Sequence, residues 1–177
     1  MKQKIIVTGG CGYIGSHTVV ELIENNYEVV IFDDLSNSSS ETIDRIEKIT
    51  GIKPTFVEID LKDELATNKA FKIHNDAKSV INFAAHKAVG ESVLKPLMYY
   101  KNNLYSLINV LSAIEEHNID GFIFSSSATV YGTPNSLPIT EKNETQRPFS
   151  PYGNTKKMAE EILDDLIKSN KKLAAIS

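Results

Sequence analysis

The chain has 177 residues, enough for one compact domain with a sizeable apolar core. Its 23 acidic and 19 basic side chains give a formal net charge of −4, which argues against a general nucleic-acid-binding or anionic-membrane-binding surface. The single cysteine, Cys11, excludes a disulfide framework and a cysteine zinc site, and the four scattered histidines predict no metal centre. Because no apolar run approaches a membrane span, we expect a cytoplasmic protein without membrane or nucleic-acid partners.

The first half of the chain alternates short apolar runs with longer amphipathic stretches. Strands are predicted over Lys4–Thr8, Glu28–Asp33, Thr55–Ile59 and Ser79–Phe83, and helices over Tyr13–Asn25, Glu41–Thr50 and Asp63–His74. Ser38 stands three residues before Glu41, which is capping-box spacing at the start of the second helix. Asp60 is the expected cap of the third.

The second half contains two more helices and a fifth strand. A long helix is predicted from about Pro96 to His117, followed by a strand over Gly121–Ser126 and a proline-bearing loop over Thr133–Ser150. Ser150 is the expected N-cap of the last helix. The run Leu173–Ile176 predicts the start of a sixth strand, at which the sequence stops, so we expect a chain truncated in that strand.

Short apolar strands separated by helices are typical of a parallel sheet covered on both faces. With right-handed crossovers, the predicted fold class is α/β, a doubly wound Rossmann-type sheet. The whole chain, 1–177, is then one domain of this fold. The C-terminal substrate domain that would accompany it is expected to be absent.

A glycine-rich turn follows the first predicted strand and carries both G-x-x-G-x-x-G and G-x-G-x-x-G spacing. In a dinucleotide-binding turn, Gly9 would permit the tight turn, Gly12 would let the backbone approach a pyrophosphate, and Gly15 would allow close helix–sheet packing. The strand before the turn and the helix after it are the context that this mechanism needs. A tight turn without a ligand is the alternative.

Acidic residues end the second and third predicted strands. Asp33 lies close to the expected twenty residues beyond the glycines, where a carboxylate binds both adenosine ribose hydroxyls and repels a 2′-phosphate. Asp34 adds negative charge, and no lysine or arginine lies between Asp33 and Ile43. We therefore expect NAD rather than NADP. Asp60 either contacts the adenine amino group or serves only as a helix cap.

Tyr152 and Lys156 are spaced i, i+4 on one face of the last predicted helix. A free tyrosine ionises near pH 10, so a tyrosine base at neutral pH needs about 4 kcal/mol of stabilisation from a neighbouring ammonium and a positively charged nicotinamide ring. The run Ser125–Ser127 ends the fifth predicted strand, at the sheet edge where ligands bind. Alone the spacing is common on solvated helices, but the glycine turn and the serines favour a catalytic pair.

These segments together resemble the extended short-chain dehydrogenase/reductase family and, within it, the UDP-glucose 4-epimerase family. The resemblance runs from Val7 to Lys156 and is carried by VTGGCGYIGSH, FDDLSNS, FAAHKAVGESV, YYKNN, FSSSATVYG and SPYGNTK. Ala128 and Thr129 stand where related sugar-nucleotide dehydratases usually carry an acidic pair, which favours an epimerase.

The resemblance implies bound NAD and a set of residues around it. These are Gly9, Gly12, Tyr13, Ile14 and Gly15 beside the pyrophosphate, Asp33, Asp34, Leu35, Ser36, Asn37 and Ser38 around the adenosine ribose, and Asp60 and Leu61 beside the adenine, with Phe83, Ala84, Ala85, His86, Lys87, Asn102, Ser127, Tyr152 and Lys156 along the rest of the cofactor.

The implied activity is epimerisation at C4 of UDP-glucose or UDP-galactose through transient hydride transfer to NAD. Tyr152 would act as the general base, Ser127 would assist, and Lys156 would tune the tyrosine and orient the ribose. The resemblance also implies a homodimer through helices 96–117 and 152–169. A dehydratase or reductase of the same superfamily and a catalytically silent NAD-binding fragment remain as alternatives, and the isolated chain is expected to be inactive.

Overall fold

The computed structural model describes residues 2–177, which form one six-stranded parallel sheet with helices on both faces. The strands are β1 (Lys4–Thr8), β2 (Glu28–Asp33), β3 (Thr55–Glu58), β4 (Ser79–Asn82), β5 (Gly121–Phe124) and β6 (Ala174–Ile176), in the order β3-β2-β1-β4-β5-β6. The helices are α1 (Tyr13–Glu24), α2 (Glu41–Thr50), α3 (Glu64–Ile73), α4 (Val89–Leu94), α5 (Pro96–His117) and α6 (Pro151–Ser169), with a 3₁₀ turn over Ala128–Tyr131. The predicted doubly wound Rossmann-type α/β fold is confirmed.

Two apolar cores form because successive residues of a strand point to opposite faces of the sheet. On β1, Ile6 enters a core with residues of α3, α5 and α6, whereas Ile5 and Val7 enter a second core with residues of α1 and α2. Phe32 and Phe71 are fully buried in the first core with their rings edge to face. Burial of such a side chain stabilises the fold by about 1.5–3 kcal/mol.

The strand order reverses at β1, whose two neighbours are β2 and β4. In open parallel sheets, ligands bind outside the carboxyl ends of the strands at such a reversal. The buried Thr8 hydroxyl donates to Asn82 Oδ1 at 2.6 Å and joins the ends of β1 and β4 there. A cleft opens directly above this pair of strand ends.

Three strands end one or two residues earlier than predicted. Beyond their last paired residues, Ile59, Phe83 and Ser125 each donate one more hydrogen bond to the neighbouring strand, to Asp33 O, Thr8 O and Asn82 O. The cleft lies beyond these last bonds, at the carboxyl edge of the sheet, and apolar patterning alone does not locate the strand ends.

The predicted caps of α2 and α3 are wrong. Ser40 is the N-cap residue of α2 and makes no side-chain cap bond, so Ser38 and Glu41 do not form a capping box. Asp60 does not cap α3, because the N-cap is Asp63, whose carboxylate accepts from the Ala66 N–H at 3.0 Å.

The cap of α6 is confirmed, since Ser150 Oγ accepts from the Gly153 N–H at 3.1 Å.

Two short elements lie in segments for which no structure was predicted. Helix α4 has six residues and contains Gly90 and two valines, all poor helix formers, so its sequence gives little helical indication. The buried Ser92 hydroxyl donates to Val89 O within it. The 3₁₀ turn begins after Ser127. Within residues 2–177, no helix combines the length and apolarity that crossing a membrane requires.

Candidate active site

The cleft at the carboxyl ends of the strands has a volume of about 310 Å³, within the range of small-ligand sites. It brings together nearly all of the predicted site residues, from six separate parts of the sequence. Those that line it are Gly9, Gly12, Tyr13, Ile14, Gly15, Asp33, Asp34, Ser36, Asn37, Ser38, Asp60, Leu61, Phe83, Ala84, Ala85, His86, Lys87, Asn102, Tyr152 and Lys156.

Two predicted site residues, Leu35 and Ser127, do not line the cleft. Leu35 has a left-handed backbone with φ of 57° and donates its N–H to Asp33 Oδ1. Ser127 is the N-cap of the 3₁₀ turn, and its Oγ accepts from the Thr129 N–H at 3.3 Å and lies 2.9 Å from Thr129 Oγ1. Its hydroxyl is thus engaged within the turn.

Three residues line the cleft without having been predicted: Phe32, Ile59 and Ser106. Ser125 and Ser126 also line it, at the sheet edge where the sequence placed them, although neither was assigned to the cofactor. Phe32 and Ile59 are apolar residues at strand ends, where only the position in the sheet marks them. Ser106 belongs to α5 one turn after Asn102, and that helical spacing is the signal by which it could have been found.

The glycine turn is shaped by close backbone approaches. Gly9 has φ of 69°, which favours glycine, and a Cβ there would lie 2.7 Å from Ala84 N at the end of β4. A Cβ on Gly15 would lie 2.2 Å from Gly9 O, so α1 can pack on the turn only without a side chain. At Gly12 a Cβ would contact only Gly9 O, at 3.2 Å, which leaves room for a ligand.

The N-terminus of α1 borders the open space beside Gly12. Gly12 is its N-cap residue, and among the described residues no side chain caps the helix and no acidic side chain lies in the first turn. The first N–H groups of a helix have no partner within the helix, and the helix dipole makes that end attractive to anions. The turn is therefore able to hold a phosphate group by its backbone. Tyr13 and Ile14 are exposed beside it.

Asp33 is held rigidly between the glycine turn and the loop after β2. Its Oδ2 accepts from the Cys11 N–H at 2.9 Å, and its Oδ1 accepts from the Leu35 N–H at 3.0 Å and the Ser38 hydroxyl at 2.8 Å. Hydrogen bonds to a carboxylate are stronger than neutral ones. The carboxylate is thus fixed at the cleft before any ligand arrives.

A second carboxylate lies next to it. Burial raises the pKa of Asp34, but hydrogen bonds from the Ser36 hydroxyl and N–H and the charge of Lys62 outweigh that effect and hold the pKa below its ordinary value. Asp34 is therefore ionised at neutral pH. A phosphate placed here would meet negative charge.

Tyr152 and Lys156 occupy successive turns at the start of α6, on the opposite side of the cleft. Lys156 is 4% exposed, its Nζ donates to Ser125 O at 2.7 Å, and it lies 4.6 Å from the centroid of the Phe124 ring and 6.0 Å from that of Tyr152. Burial lowers the pKa of Lys156 to about 8. The site therefore holds a largely protonated cation beside the tyrosine at pH 7.

Comparisons with known proteins agree on one family. The family model described as GDP-mannose 4,6 dehydratase matches residues 6–177. The UDP-glucose 4-epimerase of Schizosaccharomyces pombe is 50% identical over 175 residues, and that of Bacillus subtilis is 51% identical over 162 residues. The alignments cover 97% and 92% of this chain but 49% and 47% of the relatives, so the chain spans about half the length of the curated relatives that it matches.

Solved structures give the same result. The UDP-glucose 4-epimerase of Bifidobacterium longum, in complex with NAD⁺ and UDP, superposes with a TM-score of 0.95 at 43% identity, over 98% of this chain and 51% of that one. The Stenotrophomonas maltophila enzyme, with bound NAD and formylated UDP-arabinopyranose, gives a TM-score of 0.93 at 40% identity, over 98% and 51%. The chain therefore belongs to the family described by the GDP-mannose 4,6 dehydratase model, and it spans about half the length of the UDP-glucose 4-epimerases to which it is similar.

Proposed function

We propose that the chain is the NAD-binding part of a UDP-glucose 4-epimerase and that its cleft holds NAD. The observation that carries the proposal is the convergence of two groups on one cleft. The glycine turn and Asp33 lie on one side, and the tyrosine–lysine pair, Tyr152 and Lys156, lies on the other. Neither group alone is specific, but together they provide an anchor for a nucleotide and a base for the chemistry.

The residues of the cleft fit NAD in its main features. The uncapped end of α1 and the open face of Gly12 suit a pyrophosphate, because backbone N–H groups can approach it closely. Asp33 suits the two adenosine ribose hydroxyls, and Asp60, which also lines the cleft, is assigned to the adenine. Asp33 and Asp34 together disfavour the 2′-phosphate of NADP, which supports NAD.

The proposed reaction is epimerisation at C4 of a UDP-sugar such as UDP-glucose or UDP-galactose. NAD, when bound, would supply a reversible hydride acceptor for C4, so that the hydroxyl at this carbon could be restored with either configuration. Tyr152 removes the proton of the C4 hydroxyl as the general base and gives it back when the hydroxyl is restored. Lys156, whose Nζ lies 6.0 Å from the centroid of the Tyr152 ring, is assigned to act with the tyrosine and to orient the ribose. Ser127 is the second group assigned to the reacting hydroxyl, because its Oγ only accepts hydrogen bonds within the 3₁₀ turn and its own hydrogen is free to donate.

We further propose a homodimer and a cytoplasmic location. Helix α5 exposes Tyr105 and Ile108, at 54% and 45%, on the face away from the sheet, and a second copy of the chain would cover them. The homodimer interface would combine α5 with α6, which pack against each other in one protomer. The UDP-sugar substrate and the homodimer are both proposed for the whole protein.

A dehydratase is the second candidate, because the matching family model carries that description. Removal of water from a sugar needs acid and base groups beyond the tyrosine. Positions 128 and 129, where the related dehydratases carry their acidic pair, hold an exposed alanine and a threonine bonded to Ser127. The absence of carboxylates at these two positions favours the epimerase.

An epimerase, a dehydratase, a reductase and a silent binding module differ in the sugar product and in the redox state in which they leave NAD. Purified protein would be titrated with NAD, and then supplied with UDP-galactose while UDP-glucose formation and NADH absorbance are followed. Interconversion without net accumulation of NADH supports the epimerase, whereas a dehydrated sugar product would indicate a dehydratase and stoichiometric NADH a reductase. NAD binding without turnover is the result expected of the NAD-binding part of an epimerase on its own and would show that this chain alone is catalytically silent, whereas failure to bind NAD would contradict the proposal.

A further inference from the structure

A buried asparagine joins three elements around the cleft. Asn103 of α5 is 7% exposed. Its Oδ1 accepts from the His86 N–H at 2.8 Å and from Asn102 Nδ2 at 3.1 Å, and its Nδ2 donates to His86 O at 3.0 Å and to Thr155 Oγ1 at 3.0 Å. An amide side chain has two donors and two acceptor positions, so every one of them is used.

The direction of these bonds is unambiguous. The His86 N–H requires the amide oxygen and the His86 carbonyl requires the amide nitrogen, so the orientation of Asn103 is fixed. Because Thr155 Oγ1 accepts from Asn103, its single hydrogen is free to donate to Tyr152 O, which lies 2.7 Å away. A series of hydrogen bonds therefore runs from the Asn103 side chain through the Thr155 hydroxyl to the backbone carbonyl of Tyr152.

This series of hydrogen bonds joins two walls of the cleft near Lys156. One wall is the segment after β4 that contains His86, called here the His86 wall, and the other is the start of α6. His86 lies in the segment that leaves β4, and Tyr152 and Lys156 lie in the first two turns of α6. Thr155 is 1% exposed, so water cannot replace its hydroxyl if the hydroxyl is removed. Hydrogen bonds in such a shielded place are strong, and an unpaired group there is costly.

The other end of the cleft is held by different groups. Asp33 is fixed by the N–H groups of Cys11 and Leu35 and by the Ser38 hydroxyl, and none of these contacts Thr155. Separate sets of hydrogen bonds thus hold the two ends of the cleft, one around Tyr152 and the other around Asp33, where the adenosine is proposed to bind.

We propose that Thr155, held by Asn103, is a positioning residue that sets Tyr152 and Lys156 relative to the His86 wall of the cleft. The inference rests on the proposed function, in which these residues face the nicotinamide half of NAD. Loss of the Thr155 hydroxyl should therefore weaken recognition of that half and spare recognition of the adenosine half.

The test compares two ligands on the full chain. Thr155→Val keeps the shape of the side chain and removes the hydroxyl, and calorimetric titration would give its affinities for NAD and for ADP. We expect NAD affinity to fall about ten-fold while ADP affinity stays within about two-fold of wild type. Thr155→Ser, which keeps the hydroxyl, should restore NAD binding.

A matched control separates positioning from general destabilisation. Thr50→Val removes a hydroxyl that donates to Ile46 O inside α2, away from the cleft, and should leave both affinities unchanged. If Thr155→Val does not fold, Thr155→Cys, whose thiol donates and accepts weakly, should give an intermediate loss of NAD affinity. Equal loss for NAD and ADP, or no loss for either, would overturn the proposal.

A measurement without cofactor keeps this inference separate from the proposed function. Amide hydrogen exchange of Thr155→Val should be faster than wild type in residues 152–156 and unchanged in the glycine turn. Unchanged exchange in residues 152–156 would overturn the positioning role even if NAD binds. Failure of wild type to bind NAD, with the exchange difference present, would instead count against the proposed function.

Discussion

The buried lysine of the site should make stability depend on pH in a way that a single substitution removes. Lys156 is almost fully buried, and burial lowers its pKa from the ordinary 10.5 to about 8. Between these two values the unfolded chain carries a proton on Lys156 that the folded protein has released. Stability therefore rises with pH across this window, because the unfolded state binds more protons there.

The expected size follows from the two pKa values. The difference between 10.5 and about 8 corresponds to about 3 kcal/mol, since each pKa unit is worth about 1.4 kcal/mol. Lys156→Met removes this contribution and keeps a long side chain that can fill the space beside the Phe124 ring. The variant should therefore be more stable relative to wild type at pH 7 than at pH 10.5.

Urea unfolding of both proteins at intervals from pH 7 to pH 10.5 measures the effect. The stability advantage of Lys156→Met should shrink by about 3 kcal/mol across this range, while contributions of the other lysines and tyrosines cancel in the difference. Lys168→Met on the same helix is the control. Lys168 is exposed and a hydrogen bond to Asp164 raises its pKa. Its removal should therefore change the pH dependence of stability in the opposite direction. Parallel pH profiles for wild type and Lys156→Met would refute the reasoning.

Three further predictions concern the cleft. Asp33→Asn removes the charge but keeps an acceptor, and should narrow the preference for NAD over NADP by about ten-fold in calorimetric titrations; an unchanged ratio would show that another group discriminates. Tyr152→Phe should keep NAD affinity within about three-fold and abolish turnover wherever the wild-type protein shows it, and substantial residual turnover would assign the base elsewhere. Gly15→Ala places a methyl against Gly9 O and should lower the free energy of unfolding by about 1–3 kcal/mol, whereas Gly90→Ala, with open space around it, should not destabilise.

Much of the fold follows from local patterns. The strands of the sheet are apolar runs, and their parallel pairing follows from the alternation with helices. The glycine turn and the pair Tyr152 and Lys156 were recognisable because each has a fixed spacing with a physical reason. These are properties of a few neighbouring residues, which a sequence displays directly.

Some of the errors originate in tertiary contacts and others in local turns. Ser38 has the right spacing for a capping box, yet its hydroxyl bonds to Asp33, which is near only because the loop after β2 folds back. Ser127 was expected to end the fifth strand segment, but it is the N-cap residue of a 3₁₀ turn and its Oγ accepts from Thr129 Oγ1. No local pattern could have predicted that Asn103 would bond to both His86 and Thr155.

The central claim, that the cleft holds NAD by its glycine turn, is tested most directly by titrating NAD into wild-type protein and Gly12→Ala. A methyl at Gly12 meets only Gly9 O, at 3.2 Å, so the variant should fold, but the methyl occupies the face that the pyrophosphate needs. We predict saturable binding of one NAD per chain to wild type and at least about ten-fold weaker binding to the folded variant. Equal affinities, or no binding of NAD to wild type, would contradict the account.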